Sequence, residues 1–381
     1  MLLLPFLVLA LQLSATSAIE RAALDGVRGG VFPGAVVVVG THDRVLLSRG
    51  YGRLTWSSSG ATPSSDSTLY DLASLTKVVA TTPAVMLLVQ AGRLDLDRPV
   101  QHYLPEFTGD DKERVTVRHL LEHRSGMRAF LPLNERASTA AEARQIVLTE
   151  PLRFDPGGRI VYSDLNAMLL GWIVERVAGV PLDRFVEENV FGPLGMRHTL
   201  FKPPRALRPR IAPVGIWRGY VIAGQVHDQN AARLGGVSGH AGLYSTGLDL
   251  ARYAQLWLNE GHAGDGMQLL LVGTVRHFAR RGPGNRALGW ELRDTTSAED
   301  TGTLLSPAAF GHGGYTGTSL WIDPVRDLFV IVLTNRVFAP RTRRSISRLK
   351  DIRGRIADAA VALRREVCGP ADPRPGATKS C

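Results

Sequence analysis

Apolar runs of β character stand near opposite ends of this chain, and no other feature restricts its fold so strongly. GAVVVVG (34–40) and RVLLSRGYG (44–52) read as strands paired around a turn at Thr41–Asp43, and LFVIVLTNR (328–336) is a third stretch of strand character. Between them, SLTKVVATTPAVMLLVQAG, VTVRHLLEHRSGM, NAMLLGWIVERVAG and LDLARYAQLWLNEG (248–261) have helical spacing, with Pro and Gly in the connecting loops. Strand character recurs in HFARRGPGNRALGWELRD and FGHGGYTGTSLWIDP, and a basic helix over 341–365 closes the fold. Strands that open and close a chain around a helical middle predict an α/β domain interrupted by a helical one, its terminal parts completing one mainly antiparallel sheet. The expected division is 19–75 and 240–367 for the sheet domain, 76–239 for an inserted all-helical domain, and 368–381 for a flexible tail. Residues 201–233 carry no clear period. A 381-residue chain with 44% hydrophobic and 21% charged residues has room for such a core.

Residues 1–18, MLLLPFLVLALQLSATSA, form an apolar run too short to span a bilayer comfortably, with Thr16 and Ala18 suited to the −3 and −1 positions of a cleavage site. They read as a signal peptide, so the protein is expected to be periplasmic or secreted. Two cysteines, Cys368 and Cys381, are too few for a disulfide framework or a four-cysteine zinc site. In an exported protein they could pair and close a small tail loop. The net charge of +10 is concentrated in 341–365. A solvated basic helix face opposite an Ala/Ile/Val/Leu face on the core is the preferred reading, and weak attraction to an anionic envelope surface is the alternative. No motif supports a nucleic-acid partner, and a monomer is expected.

The sharpest chemical signal is Ser74-Leu75-Thr76-Lys77. At a helix start, residues three apart share a face, so hydroxyl and amine can meet. A serine hydroxyl needs a base to become a nucleophile, and lysine can serve if partial burial lowers its pKa. Alone, the pattern fits equally a capping serine and a solvated lysine. Two further elements change that balance. Tyr162-Ser163-Asp164 follows a FDPGG turn, which can deliver a phenol to share protons with the lysine. His312-Gly313-Gly314-Tyr315-Thr316-Gly317 precedes an apolar strand, and its glycines let a backbone N–H approach a substrate carbonyl beside the N–H of Ser74. The plain alternatives are a packing tyrosine and a Gly-rich turn with a surface histidine.

In this order the three elements resemble the penicillin-recognising serine hydrolases, closest to the class C β-lactamase branch with its D-alanyl-D-alanine carboxypeptidase, D-aminopeptidase and esterase relatives. LASLTKVVATT, VTVRHLLEHRSGM, FDPGGRIVYSDLNAMLLGWIVERVAG, VHDQNAARLGGVSGHAGLYST and FGHGGYTGTSLWIDP extend the likeness over about residues 20–365. The resemblance implies an antiparallel sheet flanked by helices and a site at the domain junction. It implies Ser74 as the acylated nucleophile, Lys77 as its base, Tyr162 as proton carrier, Asp164 and His312-Gly313-Gly314 at substrate-binding positions, and the N–H of Tyr315 as second oxyanion donor. No cofactor and no metal are implied. Two departures stand out: Asp164 replaces an asparagine and should pair with Lys77, and His312 replaces a lysine that holds the β-lactam carboxylate. They shift the expectation toward a peptidase, amidase or esterase acting on a small-molecule or peptide substrate, with peptidoglycan fragments first, small esters second and β-lactams third. The separate deacylating glutamate of class A relatives has no counterpart here.

Three rivals compete. His119-Leu120-Leu121-Glu122-His123 matches a zinc-binding H-x-x-E-H pattern, although Arg118 and Arg124 flank it. A penicillin-binding sensor or scaffold would acylate without turnover. An α/β-hydrolase is disfavoured, because Gly236-Val237-Ser238-Gly239-His240 fails the nucleophile-elbow pattern. His227, Asp228 and His240 could border the cleft, while Trp217, Tyr220, Trp290 and Trp321 read as core or cleft-wall aromatics.

Overall fold

The computed structural model describes residues 4–338 and 345–369 together with Cys381, the side chains of residues 4–14 and of Trp217 excepted. The chain runs α1 (Leu4–Arg28), β1 (Gly34–Gly40), β2 (Val45–Gly52) and β3 (Tyr70–Asp71), then a π-helical turn (Lys77–Thr81) leading into α2 (Thr82–Gln90). Helices α3 (Val100–Tyr103), α4 (Val117–Leu121), α5 (Leu133–Arg136), α6 (Ala140–Thr149), α7 (Asp164–Ala178) and α8 (Leu182–Val186) follow. Next come β4 (Leu200–Phe201), β5 (Gly215–Trp217), β6 (Tyr220–Ile222), α9 (Gln229–Arg233), β7 (Leu243–Ser245), α10 (Gly247–Leu258) and α11 (Val272–Ala279). The last elements are β8 (Glu291–Leu292), β9 (Phe310–Gly313), β10 (Ser319–Asp323), β11 (Leu328–Thr334) and α12 (Ile346–Cys368).

Both ends of the sequence build one antiparallel sheet in the order β2-β1-β11-β10-β9-β8. β1 and β11 pair from Ala35 opposite Thr334 to Gly40 opposite Phe329, which places the first and last long strands side by side. Their side chains alternate between two cores, as the two-residue period of a strand requires. Val36, Val38, Phe329, Ile331 and Leu333 enter the core shared with the helical region, and Ala35, Val37, Val39, Val330 and Val332 enter a second core under α1 and α12. Helix α12 gives that second core Leu349, Ile352, Ile356, Ala360 and Leu363 and leaves Lys350 and Arg355 near solvent, so the amphipathic reading of the basic helix describes it. Residues 341–344 lie outside the described residues.

Helix α1 begins at Leu4 and runs through Ala18 to Arg28, with Ala15, Ile19, Ala22 and Ala23 in the outer core. Two local expectations change. The stretch from His277 to Asp294, expected as strand, opens inside α11 and turns at Pro283–Arg286, leaving only Glu291–Leu292 in the sheet. Residues 201–233 hold the β5–β6 hairpin and short α9, and β4 joins β7 and β3 in a three-stranded sheet, so strands occur within the span expected to be all helical. Cys368 and Cys381 form a disulfide.

For the site, the short strands matter most. β3 pairs with β7 through Tyr70 opposite Ser245 and Asp71 opposite Tyr244. That pairing sets residues 70–74, the 238–245 loop and the β9–β10 turn against the first turns of α2 and α7.

Candidate active site

Ser74 stands at a forced corner. Asp71 is buried at the end of β3, where its carboxylate accepts the N–H of Ala73 (2.9 Å) and of His227 (2.7 Å). Burial raises the Asp71 pKa to about 6 against those two hydrogen bonds. Ala73 is held at φ 46°, a left-handed conformation that a residue with a Cβ rarely adopts. The chain then winds at once into helix, with Lys77 N–H bonding Ser74 O at 3.1 Å. The π turn follows because the N–H and the hydroxyl of Thr82 both reach Lys77 O, the hydroxyl at 2.8 Å.

Lys77 Nζ donates to Ser74 Oγ at 3.0 Å, to Asp164 at 2.8 Å and to the carbonyl of His240 at 3.2 Å. Three acceptors satisfy the three ammonium protons. Burial opposes the charge, but the Asp164 carboxylate and then Tyr162 outweigh it and hold the Lys77 pKa above that of an ordinary lysine. The expectation of a lysine whose pKa burial lowers therefore reverses in sign: the enclosure is present, yet the ion pair wins. Asp164, the first residue of α7, is pushed up by burial but held below the usual carboxylate range by the charges of Lys77 and His240.

Tyr162 is fixed by its neighbours in sequence: Val161 N–H donates to His123 O (2.8 Å), and Ser163 N–H to His123 Nδ1 (3.1 Å). Its ring has Lys77 Nζ 4.9 Å and the Arg286 guanidinium 5.5 Å from its centre, with the rings of His123 and His312 at 4.8 and 5.6 Å. His312 is buried, and Nδ1 faces Gly313 O at 2.8 Å, an assignment that puts its proton there. Burial first, then the charges of Lys77 and Arg286, lower its pKa to about 3, so the imidazole is neutral. His123 is neutral for the same reasons, burial leading.

The β9–β10 turn is tied to the corner by side chains. Thr316 donates to Asp71 O (2.7 Å) and Thr318 to Leu72 O (3.0 Å), while Gly314 N–H bonds Thr318 O (2.6 Å). Gly314 is required here, since a Cβ would strike both Thr318 Oγ1 and Leu72 O. Arg336 grips Tyr315 O at 2.8 and 3.1 Å and lies 4.7 Å from its ring, fixing the peptide. Among the described residues, the N–H groups of Ser74 and Tyr315 have no protein acceptor, which is what a pair of oxyanion donors needs.

Ser74, Lys77, Tyr162, Asp164, His312, Gly314 and Tyr315 thus lie together, joined by the Lys77 hydrogen bonds, the Tyr162 ring contacts and the ties of the β9–β10 turn to residues 71 and 72. The zinc pattern does not assemble: His123 lies beyond the end of α4 at φ 56°, and His119 Nδ1 is taken by the Thr116 N–H in the helix cap. Arg118 turns away to Asp97 at 2.6 Å. Asp164, Asp228 and His240 bring ligand atoms within 4.8 Å of one another, and the cation facing them is the Lys77 ammonium. His240 bonds Asp228 (3.0 Å) and Ser238 (2.8 Å), which orients the loop whose carbonyl receives Lys77. His227 stacks on Tyr315, Trp290 packs among Trp257 and Phe310, Trp321 is in the outer core and Tyr220 is exposed. Sequence reading passed over Arg286 and the carbonyl of His240. A carbonyl leaves no mark in residue identity, and Arg286 sits in a stretch misread as strand.

Residues 19–353 match the beta-lactamase family. A relative from Salmonella agona strain SL483, named as a D-alanyl-D-alanine carboxypeptidase, is 36% identical over 305 residues, covering 72% of this chain and 70% of its own. Its namesake from Escherichia coli K12 is 36% identical over 311 residues with the same coverage. Among solved structures, EstCE1, a hydrolase with promiscuous acyltransferase activity, shares 23% identity at TM-score 0.73, covering 91% of this chain and 99% of its own. A penicillin-binding-protein homologue of Caulobacter crescentus shares 21% at TM-score 0.74, covering 92% and 97%. At those identities the solved structures establish the fold, an antiparallel sheet flanked by helices. Fold and relatives together define a serine hydrolase of the β-lactamase type. The chain belongs to the beta-lactamase family.

Proposed function

We propose that this protein hydrolyses amide or ester bonds through an acyl-enzyme on Ser74, outside the cytoplasm. D-amino-acid peptides of the peptidoglycan type are its leading substrates, small esters come second, and β-lactams turn over weakly or not at all. The observation that carries this reading is the Lys77 ammonium, 3.0 Å from the Ser74 hydroxyl and 2.8 Å from Asp164. The carboxypeptidase names of the curated relatives support the peptide substrate. The neutral His312 supports poor handling of β-lactams, because an uncharged imidazole holds a carboxylate less firmly. The apolar residues 1–18 support export, and cleavage after Ala18 would leave Ile19, Ala22 and Ala23 to hold α1 in the outer core.

Acylation breaks the Ser74 O–H bond and needs an acceptor for that proton. Lys77 as an ammonium donates to Ser74 and cannot take it. The competent form has lost one proton from the Lys77–Tyr162 pair, which accepts the Ser74 proton as Oγ bonds the carbonyl carbon and passes it to the leaving group. The N–H groups of Ser74 and Tyr315 receive the oxyanion. Water then gives a proton to the same pair as its oxygen adds to the acyl carbon, the Oγ–carbon bond breaks, the pair returns that proton to Ser74 Oγ, and the acid is freed.

The test combines intact mass with turnover. After a fluorophosphonate, the wild type should gain one adduct and Ser74→Ala none. Release of D-alanine from diacetyl-L-Lys-D-Ala-D-Ala should fall by about 10³-fold or more in Ser74→Ala. An adduct on the alanine variant would end this reading. A lasting penicillin adduct without any D-alanine release would mark the protein as a sensor instead.

A further inference from the structure

The β5–β6 hairpin has no place in the mechanism. It forms a two-stranded sheet of its own, with Ile216 opposite Val221 and Trp217 opposite Tyr220. Its turn is Arg218-Gly219, both in the left-handed region at φ 48° and 81°, the geometry of a tight two-residue hairpin. Asparagine or glycine suits the first of those positions, and an arginine there is strained, so a charge stands at the tip against local preference. Apolar side chains surround it: Ile216 is 62%, Tyr220 76% and Val221 42% exposed. Successive cross-strand pairs face opposite sides of a hairpin, so Ile216 and Val221 open one face to solvent and Tyr220 the other.

The root of the hairpin is firm. Val214 N–H bonds Ile222 O (2.9 Å), Ala212 N–H bonds Leu69 O (2.9 Å), and Asn335 Nδ2 donates to Pro213 O (3.0 Å). The charge around it has one sign. From Phe191 to His227 the sequence has no Asp or Glu and holds Arg197, Lys202, Arg205, Arg208, Arg210 and Arg218. Lys202 meets Asp183 at 3.5 Å, but Arg205 and Arg208, both exposed, have no carboxylate within ion-pair distance among the described residues. Arg208 donates to Val221 O (3.1 Å), which lays it along the hairpin, and both arginines line an open groove of about 480 Å³ beside Pro203 and Gly224.

A rigid apolar tip carrying an aromatic ring, with guanidinium groups behind it, suits the interface of an anionic bilayer. Ring and aliphatic groups reach the acyl boundary while the cations meet lipid phosphates. A second copy of this chain would bring the same cations to the same place, and like charge opposes that pairing. We propose that the β5–β6 hairpin docks the protein on an anionic phospholipid bilayer. Ile216, Tyr220 and Val221 enter the interface, and Arg205 and Arg208 hold lipid phosphates. The inference is independent of the Ser74 chemistry.

The experiment reads the hairpin itself, because residues 1–18 are apolar and are present in every variant of the full chain. A nitrobenzoxadiazole label on Tyr220→Cys is selective, since Cys368 and Cys381 are joined to each other. With vesicles of equal parts phosphatidylcholine and phosphatidylglycerol its emission should shift to the blue and brighten by about twofold or more. The same label on Glu113→Cys, an exposed position between α3 and α4, controls for the dye's own affinity and should not change. Half-maximal shift should need about tenfold or more lipid when the vesicles are phosphatidylcholine alone. Adding Arg205→Gln/Arg208→Gln to the labelled chain should raise the lipid needed by about 10- to 30-fold, and adding Ile216→Asp by about tenfold, with little change in melting midpoint. An unshifted label at Tyr220→Cys overturns the proposal, a result that needs none of the further variants to fold. Equal shifts at the two labelled positions, or equal responses to neutral and mixed vesicles, overturn it as well. Dimers that grow with protein concentration and vanish in Ile216→Asp, with the label unmoved by lipid, would give the hairpin to a second copy of the chain instead.

Discussion

Lys77 shows how a residue's identity leaves its protonation open. Serine three residues before lysine says that hydroxyl and amine meet, and they do at 3.0 Å. Which protonation state is present depends on a contest between burial and Asp164, decided by a 2.8 Å separation between residues 87 positions apart. Residue types alone could suggest that pair but not its outcome. The sign has a kinetic consequence. A raised Lys77 pKa means the deprotonated form appears only at alkaline pH, so kcat/KM should climb through the alkaline range. Asp164→Asn removes the raising cause and leaves burial to lower the pKa, so the climb should move to lower pH by about one to three units. A pH profile of p-nitrophenyl acetate hydrolysis reads it directly. An unmoved limb in Asp164→Asn would mean that the carboxylate does not govern the base.

At the scale of elements, long strands and long helices were legible: β1 and β11 by their β-branched runs, β2 by its place across a turn from β1, and α2, α7 and α10 by helical spacing. Short pieces were not. β3 and β7 have two and three residues, too few to show a period, yet their pairing sets the corner at Ser74. The Pro283–Arg286 turn lies among residues whose types also suit a strand, and reading it so hid Arg286. The corner and the β9–β10 turn meet where Gly314 lies against Leu72 O. Gly314→Ala would press a methyl group on a backbone oxygen that cannot step aside, shifting the Tyr315 N–H from its aim. A misplaced oxyanion donor costs about 10²-fold in kcat, with KM little changed and the circular dichroism spectrum retained. If kcat survives intact, Tyr315 N–H does not serve the oxyanion.

Over the whole molecule, the sheet divides stability from chemistry. One of its faces buries the core that includes Leu72, Leu75 and Val78 around the nucleophile, and the other buries the core under α1 and α12. A cavity opened beyond the sheet is separated from Ser74 by a hydrogen-bonded layer of strands, and close-packed interiors pass strain mainly to the groups they touch. Ile356, fully buried in α12, tests that separation. Ile356→Ala should cost about 2–4 kcal/mol, seen as a melting midpoint lower by roughly 3–5 °C, while kcat/KM at 25 °C stays within about twofold. Leu75→Ala deletes a similar volume beside Ser74 and should lower both the midpoint and kcat, since the cavity adjoins the corner that aims the hydroxyl. Thermal melts and steady-state rates on the two variants decide the matter: equal losses of kcat would show that the sheet transmits strain across its two faces and that fold and site are one mechanical unit.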